Sequence, residues 1–238
     1  MTENQFDSSY FNAYRGQNIF HMARGKKPHV FGFWQNRIDK IRQTKYPILE
    51  VGCGLGYFLE GIKNVLAVGI DISFDALKES AIVRRKSLIN GSAELLPFRS
   101  EVFEVVVAFD VIEHLRNPER FASEAFRILR WNGVLIISTP NPNSLGARIK
   151  RKKGNWFGDR DQSHINILKM EEWQHIFNLC GFKVHDIGTD TLWDVPYSII
   201  WPRSMEKAIF MTFHWVLSRL FGYFHWNYGE NSIFVLRK

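Results

Sequence analysis

From about residue 47 the chain alternates two kinds of stretch. PILEV (Pro47 to Val51), Val65 to Ile70, the short Leu88-Ile89, Val102 to Phe109 and Val134 to Ser138 are brief runs that are apolar at nearly every position and rich in Val and Ile. Runs of that length and composition predict strands buried on both faces of a sheet. Between them, apolar residues recur every three or four positions. Tyr57 to Lys63 predicts a helix. Phe74 to Arg85 predicts another, capped by Ser73, with Leu77 and Ala81 on one face. Asn117-Pro118 opens a third that runs through Leu129, with Phe121, Ala125, Ile128 and Leu129 at helical spacing. Strands that alternate with helices imply a doubly wound α/β fold, its sheet mostly parallel and covered on both faces.

The pattern loosens after Thr139. PNPNSLGARIKRKKGNWFGDRDQSHIN reads as loop. Met170 to Leu179 predicts a helix stopped by Gly181, Phe182 to Ile187 a strand, and Ser232 to Leu236 a closing strand. Leu192 to Tyr228 is aromatic, with a helix expected from Met205 to about Phe221. Residues 1 to about 46 are aromatic, polar and helical in pattern, broken by Gly25 and Pro28. No linker-like tract divides the chain. The expected organisation is an N-terminal helical lid over 1–45, with Tyr10, Phe11, Tyr14, Phe31, Phe33 and Trp34. A single domain over 46–238 follows, with an insert at about 191–228.

Composition narrows the partners. An apolar share of 45% is ordinary for a globular chain, but a formal charge of +7 favours anionic partners such as phosphate, nucleic acid or an acidic lipid surface. Two cysteines, Cys53 and Cys180, make no disulfide framework and fit a reducing compartment. MTENQFDSSYFNAYRG has neither a basic start nor an apolar core, so no leader is expected there. No apolar run reaches the ~18 residues of a membrane span. The expected location is cytoplasmic, with peripheral membrane contact through 201–226 as a further option.

PILEVGCGLGYFLEGI carries the chemistry. A strand ends in an acid, Glu50, and runs into Gly52, Gly54 and Gly56. Glycines there let a ligand approach the backbone without meeting a Cβ. A dinucleotide turn would read G-x-G-x-x-G, but Tyr57 holds the place of its third glycine. Glu50 also suits a cationic cofactor better than a pyrophosphate. Asp71, ending the second strand in VGIDIS, stands where an acid binds a ribose diol.

On these residues the chain resembles the class I S-adenosylmethionine-dependent methyltransferases, closely from Tyr46 to Thr139 and loosely from Gly181 onward. ILEVGCGLG, GIDIS, GSAELLPF, FEVVVAFDVIEHL and RILRWNGVLIISTPN resemble that family's motifs in order. The resemblance implies a seven-stranded, Rossmann-like sheet whose last strand inserts antiparallel. It implies S-adenosylmethionine as cofactor, with Glu50, Gly52, Cys53, Gly54 and Gly56 around the methionine part. Asp71 would hold the ribose, Ile72 would pack on the adenine, and Ser92, Ala93 and Glu94 would lie at the adenine edge. Phe109 and Asp110 would border the methyl group. Ser92 departs from the family pattern, which usually has an acid at that place.

The expected reaction is methyl transfer, O-directed, to a small-molecule, lipid-linked or glycan-linked acceptor. A hydroxyl acceptor needs a base. His114 in DVIEHL and His164 in DQSHIN are the candidates, with Asp110 beside them. No metal ligand is assigned. The alternative is that Asp110, Glu113, His114 and His164 resemble the metal site of small-RNA 2′-O-methyltransferases; a related Glu-His pair occurs in ubiquinone-pathway O-methyltransferases. A non-catalytic S-adenosylmethionine-binding module is a further alternative. RIKRKKGNWF, Arg148 to Phe157, could grip a phosphate or an RNA backbone, nucleic acid being the second choice of partner. The insert helix gathers Glu206, Lys207, His214 and Ser218 on one side and Ile209, Phe213, Val216, Leu217 and Leu220 elsewhere. Burial of its apolar side against the domain or in a dimer is the expected use. An apolar substrate or a membrane interface are the others.

Overall fold

A computed structural model describes residues 6, 29–41, 46–63, 66–80, 87–198 and 200–238. The strands are β1 (Ile48–Val51), β2 (Ala67–Asp71), β3 (Ser87–Asn90), β4 (Phe103–Phe109), β5 (Leu129–Pro140), β6 (Lys183–Thr189) and β7 (Asn231–Arg237). They form one seven-stranded sheet in the order β3-β2-β1-β4-β5-β7-β6. β7 runs antiparallel to both of its neighbours, and the other pairs are parallel. The helices are α1 (His29–Ile41), α2 (Tyr57–Gly61), α3 (Phe74–Glu79), α4 (Pro118–Ile128), α5 (Leu145–Lys150), α6 (Phe157–Arg160), α7 (Met170–Leu179) and α8 (Arg203–Leu220).

Alternation along the central strands makes two cores. Leu49, Val106, Leu135, Ile137 and Phe234 face one side, where α4 and α7 supply Phe121, Ala125, Ile128, Trp173 and Phe177. Ile48, Val105, Val107, Ile136 and Val235 face the other, against Trp34 and Ile38 of α1 and Phe58 and Leu59 of α2. Each fully buried aliphatic side chain contributes about 1.5–3 kcal/mol. Both faces of the middle strands are therefore committed, which is why their sequence shows continuous apolar runs.

Local signals set several boundaries. Asn117 caps α4 by accepting from the Arg120 amide at 2.9 Å, and Pro118 occupies the first turn. Ser73 caps α3 through the Ala76 amide at 3.2 Å. The β5 strand begins at Leu129, earlier than the Asn132-Gly133 pair suggests. The β4 register shifts between Phe103 and Val105, and Asn132 takes a left-handed φ of 61°, so the strand absorbs the irregularity and continues. The stretch after Thr139, read as loop, contains α5, a 3₁₀ turn over Arg151–Lys153, and α6. Ser144 caps α5 by accepting from the Ala147 amide, a signal hidden among the Asn and Pro residues before it. The second half of the helix expected to reach Arg85 lies outside the described residues, as do Tyr10, Phe11 and Tyr14 of the expected lid. Phe31, Phe33 and Trp34 lie in α1, where Trp34 stacks on Tyr223 at 5.6 Å.

The insert departs most from expectation. The inward residues of α8 are polar: Glu206, His214 and Ser218 are buried. Glu206 accepts from the amides of Tyr197 and Ser198 at 2.9 and 2.8 Å, and the His214 ring meets the Thr191 hydroxyl at 2.6 Å. The apolar side, expected to pack against the domain, faces out.

Just before β7, Glu230 is fully buried and ties three elements together. Its Oε1 accepts from the Gly146 amide at 3.1 Å and the Tyr197 hydroxyl at 2.6 Å, while Oε2 has no hydrogen-bond partner. Burial, with Asp194 adding, pushes its pKa up to about 7 from an ordinary value of 4.5. The folded chain therefore holds this proton where the unfolded chain has lost it. The group's stabilising contribution is complete below pH 4.5 and is lost as pH rises through about 7. Glu230→Gln should remove that slope. Between these limits the variant should gain roughly 3 kcal/mol of unfolding free energy relative to the parent. Denaturant titrations at several pH values check this, and parallel pH profiles would refute it.

Candidate active site

Strand order reverses between β1 and β4, the switch point at which open α/β sheets form a crevice beyond the carboxyl ends of their strands. Register brings the relevant residues to one edge: Val51 pairs with Ile70 and Ala108, Asp71 with Asn90, and Phe109 with Ser138.

On one side lies the glycine turn. Gly52, Gly54 and Gly56 all take left-handed φ values, of 70, 47 and 78°. The amides of Gly52 and Cys53 both donate to the Ile70 carbonyl, at 2.8 and 3.1 Å. Asp71 pins the turn from beneath: Oδ2 accepts from the Gly54 amide at 2.6 Å and Oδ1 from the Ser73 amide at 2.8 Å. Burial raises the Asp71 pKa, and these two amides oppose the shift. Glu50 is buried at the end of β1 with Oε2 unpartnered. Burial, then the neighbouring Asp71 charge, push its carboxyl well above the usual range. The Cys53 side chain turns into the core beside Gly69, and burial raises its thiol pKa.

The Asn90 amide nitrogen donates to the carbonyls of Asp71 and Ile72, at 3.1 and 2.9 Å. This holds the residue after β2 in place, and Ile72 itself stays partly exposed. Ser92 Oγ accepts from the Glu94 amide, and Ala93 packs against the first core. Glu94 Oε1 accepts from the Asn117 amide at 3.0 Å, so that oxygen is already engaged at the start of α4.

On the other side of the crevice β4 ends in Phe109, whose ring packs among Phe31, Trp34 and Phe58. Asp110 follows with φ 54°, a conformation costly for a residue with a Cβ. Ser138 holds it there: its carbonyl accepts from the Asp110 amide at 3.0 Å, and its hydroxyl donates to Oδ1 at 2.9 Å. Burial raises the Asp110 pKa, opposed by Ser138 and His164.

A 3₁₀ turn, Ile112–His114, then aims two groups inward. Glu113 is fully buried, and no hydrogen bond of ordinary geometry reaches either carboxylate oxygen; Thr139 and its own amide are its polar neighbours. Burial, with Asp110 adding, pushes its pKa well up. His114 and His164 lie together, ring centroids 4.7 Å apart, and Phe6 stands edge-on to His114. Ser163 meets His114 Nδ1 at 2.9 Å, and its hydroxyl donates to Asp161. That hydroxyl has one proton, so toward His114 it accepts, and Nδ1 carries the hydrogen. His164 Nδ1 lies 2.7 Å from the Gly158 carbonyl, which can only accept. In the neutral rings both Nε2 atoms therefore keep a lone pair. Burial, then the neighbouring His164, push the His114 pKa down to about 4, so it is neutral at pH 7.

The structure thus brings Asp110, His114 and His164 together, although 49 positions separate His114 from the Ser163 that precedes His164. Ser163, Asp161 and the Gly158 carbonyl escaped the sequence reading, as did Asn90 and Val111. Nothing in a lone Ser or Asp within DRDQSHIN marks it as a partner of a histidine in the turn after β4. A carboxylate oxygen of Glu113 and one nitrogen from each histidine lie within 4.8 Å of one another. Buried imidazoles whose far N–H is held by a carbonyl or a carboxylate-backed hydroxyl are the arrangement that metal-binding histidines share.

Val111 seats the turn on this half of the crevice. A Cβ on Gly52 would lie 2.3 Å from Val111 Cγ2, at a φ that already disfavours one. Gly52→Ala should therefore destabilise the chain by about 1–3 kcal/mol. Adding Val111→Ala should return only the steric part. Urea unfolding of the single and double variants separates the two contributions; an unaltered midpoint for Gly52→Ala would refute the account.

The family model described as a methyltransferase domain matches residues 27–187, more than half of the chain. A Mycolicibacterium smegmatis protein named "Probable S-adenosylmethionine-dependent methyltransferase" is 34% identical over 146 residues, 58% of this chain and 52% of its own length. A Candida albicans protein named as a mitochondrial ubiquinone biosynthesis O-methyltransferase is 28% identical over 154 residues, 59% of this chain and 46% of its own. The chain spans about half the length of these curated relatives. Among solved structures, a Thermotoga maritima S-adenosylmethionine-dependent methyltransferase, titled a possible histamine N-methyltransferase, superposes with a TM-score of 0.65 at 20% identity, covering 99% of each chain. That likeness bears on the fold alone. With the strand order, the glycine turn at the switch point and a family match over most of its length, the chain belongs to the methyltransferase-domain family and has the class I S-adenosylmethionine-dependent methyltransferase fold.

Proposed function

We propose that this chain is an S-adenosylmethionine-dependent methyltransferase acting on an oxygen of a small-molecule, lipid-linked or glycan-linked acceptor. The glycine turn suits the cofactor. Glu50 offers a buried oxygen without a partner, which a cationic group would satisfy, and Gly52 leaves its backbone bare toward the crevice. Glu50 and the turn would hold the methionine part, and the Asp71 region the ribose. When bound, S-adenosylmethionine supplies an activated methyl group.

The observation that carries oxygen as the target is the pair of imidazoles whose Nε2 atoms keep a lone pair, that of His164 lying 3.9 Å from the Asp161 carboxylate. A hydroxyl must lose its proton as its oxygen bonds to carbon, and a neutral imidazole with a free lone pair can accept it. Ser163 and Asp161 hold His114 in the tautomer that leaves Nε2 as acceptor. The Gly158 carbonyl does the same for His164. Phe6, Phe31 and Phe109 furnish apolar walls around the crevice, which favours exclusion of water. The Candida relative's printed name agrees with oxygen as the target.

Glu113 favours a second reading. A fully buried carboxylate with no ordinary hydrogen bond, set beside two imidazoles, fits a divalent ion. Such an ion would bind a vicinal diol and lower its pKa, as a metal-assisted RNA 2′-O-methyltransferase requires.

Calorimetric titration should show S-adenosylhomocysteine binding, lost in Asp71→Ala, and no binding of NAD⁺. Absence of binding by the intact chain would end the methyltransferase reading. With an acceptor in hand, His114→Ala should lower turnover by about 10²- to 10⁴-fold while leaving S-adenosylhomocysteine affinity unchanged. Turnover that survives a strong chelator ends the metal reading. Chelator-sensitive methylation of RNA would replace the first reading with the second. Cofactor binding without turnover on any acceptor would leave a binding module.

A further inference from the structure

The α8 helix is amphipathic with its faces reversed. Its buried stripe is Glu206, His214 and Ser218, spaced by eight and four residues. Its outward stripe is Met205, Ile209, Phe213, Val216 and Leu220, which are 43, 43, 62, 37 and 63% exposed. Helices of globular chains bury the apolar stripe, so this face is built to meet an apolar phase.

Charge identifies that phase. Between Val195 and Gly229 the only carboxylate side chain is Glu206, and it is buried under the Tyr197 and Ser198 amides. Arg203 in the first turn of α8 and Arg219 in its last are both exposed, and the segment has no exposed acid. The surface continues past the helix. Phe221 contacts Phe224 at 5.8 Å, Phe224 contacts Trp226 at 5.5 Å, and Trp226 contacts Tyr228 at 6.3 Å. The Arg148 guanidinium lies over the Tyr228 ring at 5.0 Å, which joins this belt to the exposed Arg151, Lys152 and Lys153. The partly exposed Asp159 and Asp186 are already engaged by Arg151 and His225, so a two-fold dimer through this face would set arginines of two copies together with little to neutralise them. An anionic lipid surface offers both things the face lacks, acyl chains for the stripe and phosphates for the cations. Trp and Tyr at the rim favour the headgroup boundary. Among the described residues no helix is long and apolar enough to cross a membrane, so the helix would lie in the surface plane.

We propose that the outward face of α8, with the Phe221–Tyr228 belt and the Arg151–Lys153 turn, docks on an anionic lipid bilayer. Occupancy of the crevice is not required, so the proposal stands apart from the reaction.

Flotation of the full chain with vesicles tests it. Vesicles of phosphatidylcholine and phosphatidylglycerol in equal amounts should carry the protein, and phosphatidylcholine alone should not. High salt should weaken the binding. Phe213→Ser with Leu220→Ser should cut the bound fraction about tenfold. These side chains are exposed, so S-adenosylhomocysteine binding and the thermal midpoint should be unaltered. Arg203→Glu with Arg219→Glu should abolish the preference for the anionic lipid. No flotation of the intact chain would overturn the proposal. So would flotation indifferent to both variant pairs, or light scattering that shows a dimer broken by Phe213→Ser and Leu220→Ser.

Discussion

One carboxylate holds the glycine-turn half of the crevice together. Asp71 ends β2 and accepts from the amides of Gly54, on the turn after β1, and Ser73, at the start of α3. A glycine turn with three left-handed residues has little to stabilise it locally, since glycine loses more backbone freedom on folding than any other residue. The hydrogen bonds of a buried acid from the adjacent strand offset that entropy. They also place the bare backbone of Gly52 against Val111, so the position of the turn and the position of the segment after β4 are set together. The two halves of the site are therefore coupled by packing as well as by the sheet.

The opposite half depends on desolvation. Glu113 and His114 are buried on a short 3₁₀ turn, and burial drives the first toward its protonated and the second toward its neutral form. An imidazole is useful as a base or a ligand only when neutral, and it needs the right nitrogen free. Burial secures the neutral form of His114. The Asp161–Ser163 pair and the Gly158 carbonyl secure the nitrogen, because each leaves its histidine one choice of tautomer. The strained φ of Asp110 belongs to the same construction, held by two hydrogen bonds from and to Ser138.

The insert obeys another constraint. A helix buried on a polar face needs hydrogen-bond partners for every inward group. Here the 197–198 amides serve Glu206, the Thr191 hydroxyl meets His214, and Ser218 meets the His214 ring. Those partners lie in the turn between β6 and α8, and the same region is tied by Tyr197 and Glu230 to the start of β7. The antiparallel strand that completes the sheet and the helix that shows its apolar side to solvent are thus parts of one polar assembly.

Much of the fold was legible along the chain. Continuous apolar runs mark strands covered on both faces, Ser73 and Asn117-Pro118 mark helix starts, and the glycines after β1 mark a left-handed turn. Each is a local consequence of periodicity or of backbone conformation. The stretch after Thr139 was less legible, because its caps lie among residues that also favour loops. The order of strands, the meeting of His114 with His164, and the partners that choose their tautomers depend on contacts far apart in sequence. For α8 the sequence determined that a helix would form with a polar and an apolar side. Only the tertiary structure decided which side would be buried, because that choice rests on hydrogen-bond partners supplied by Thr191, Tyr197 and Ser198, and no periodicity within the helix encodes them.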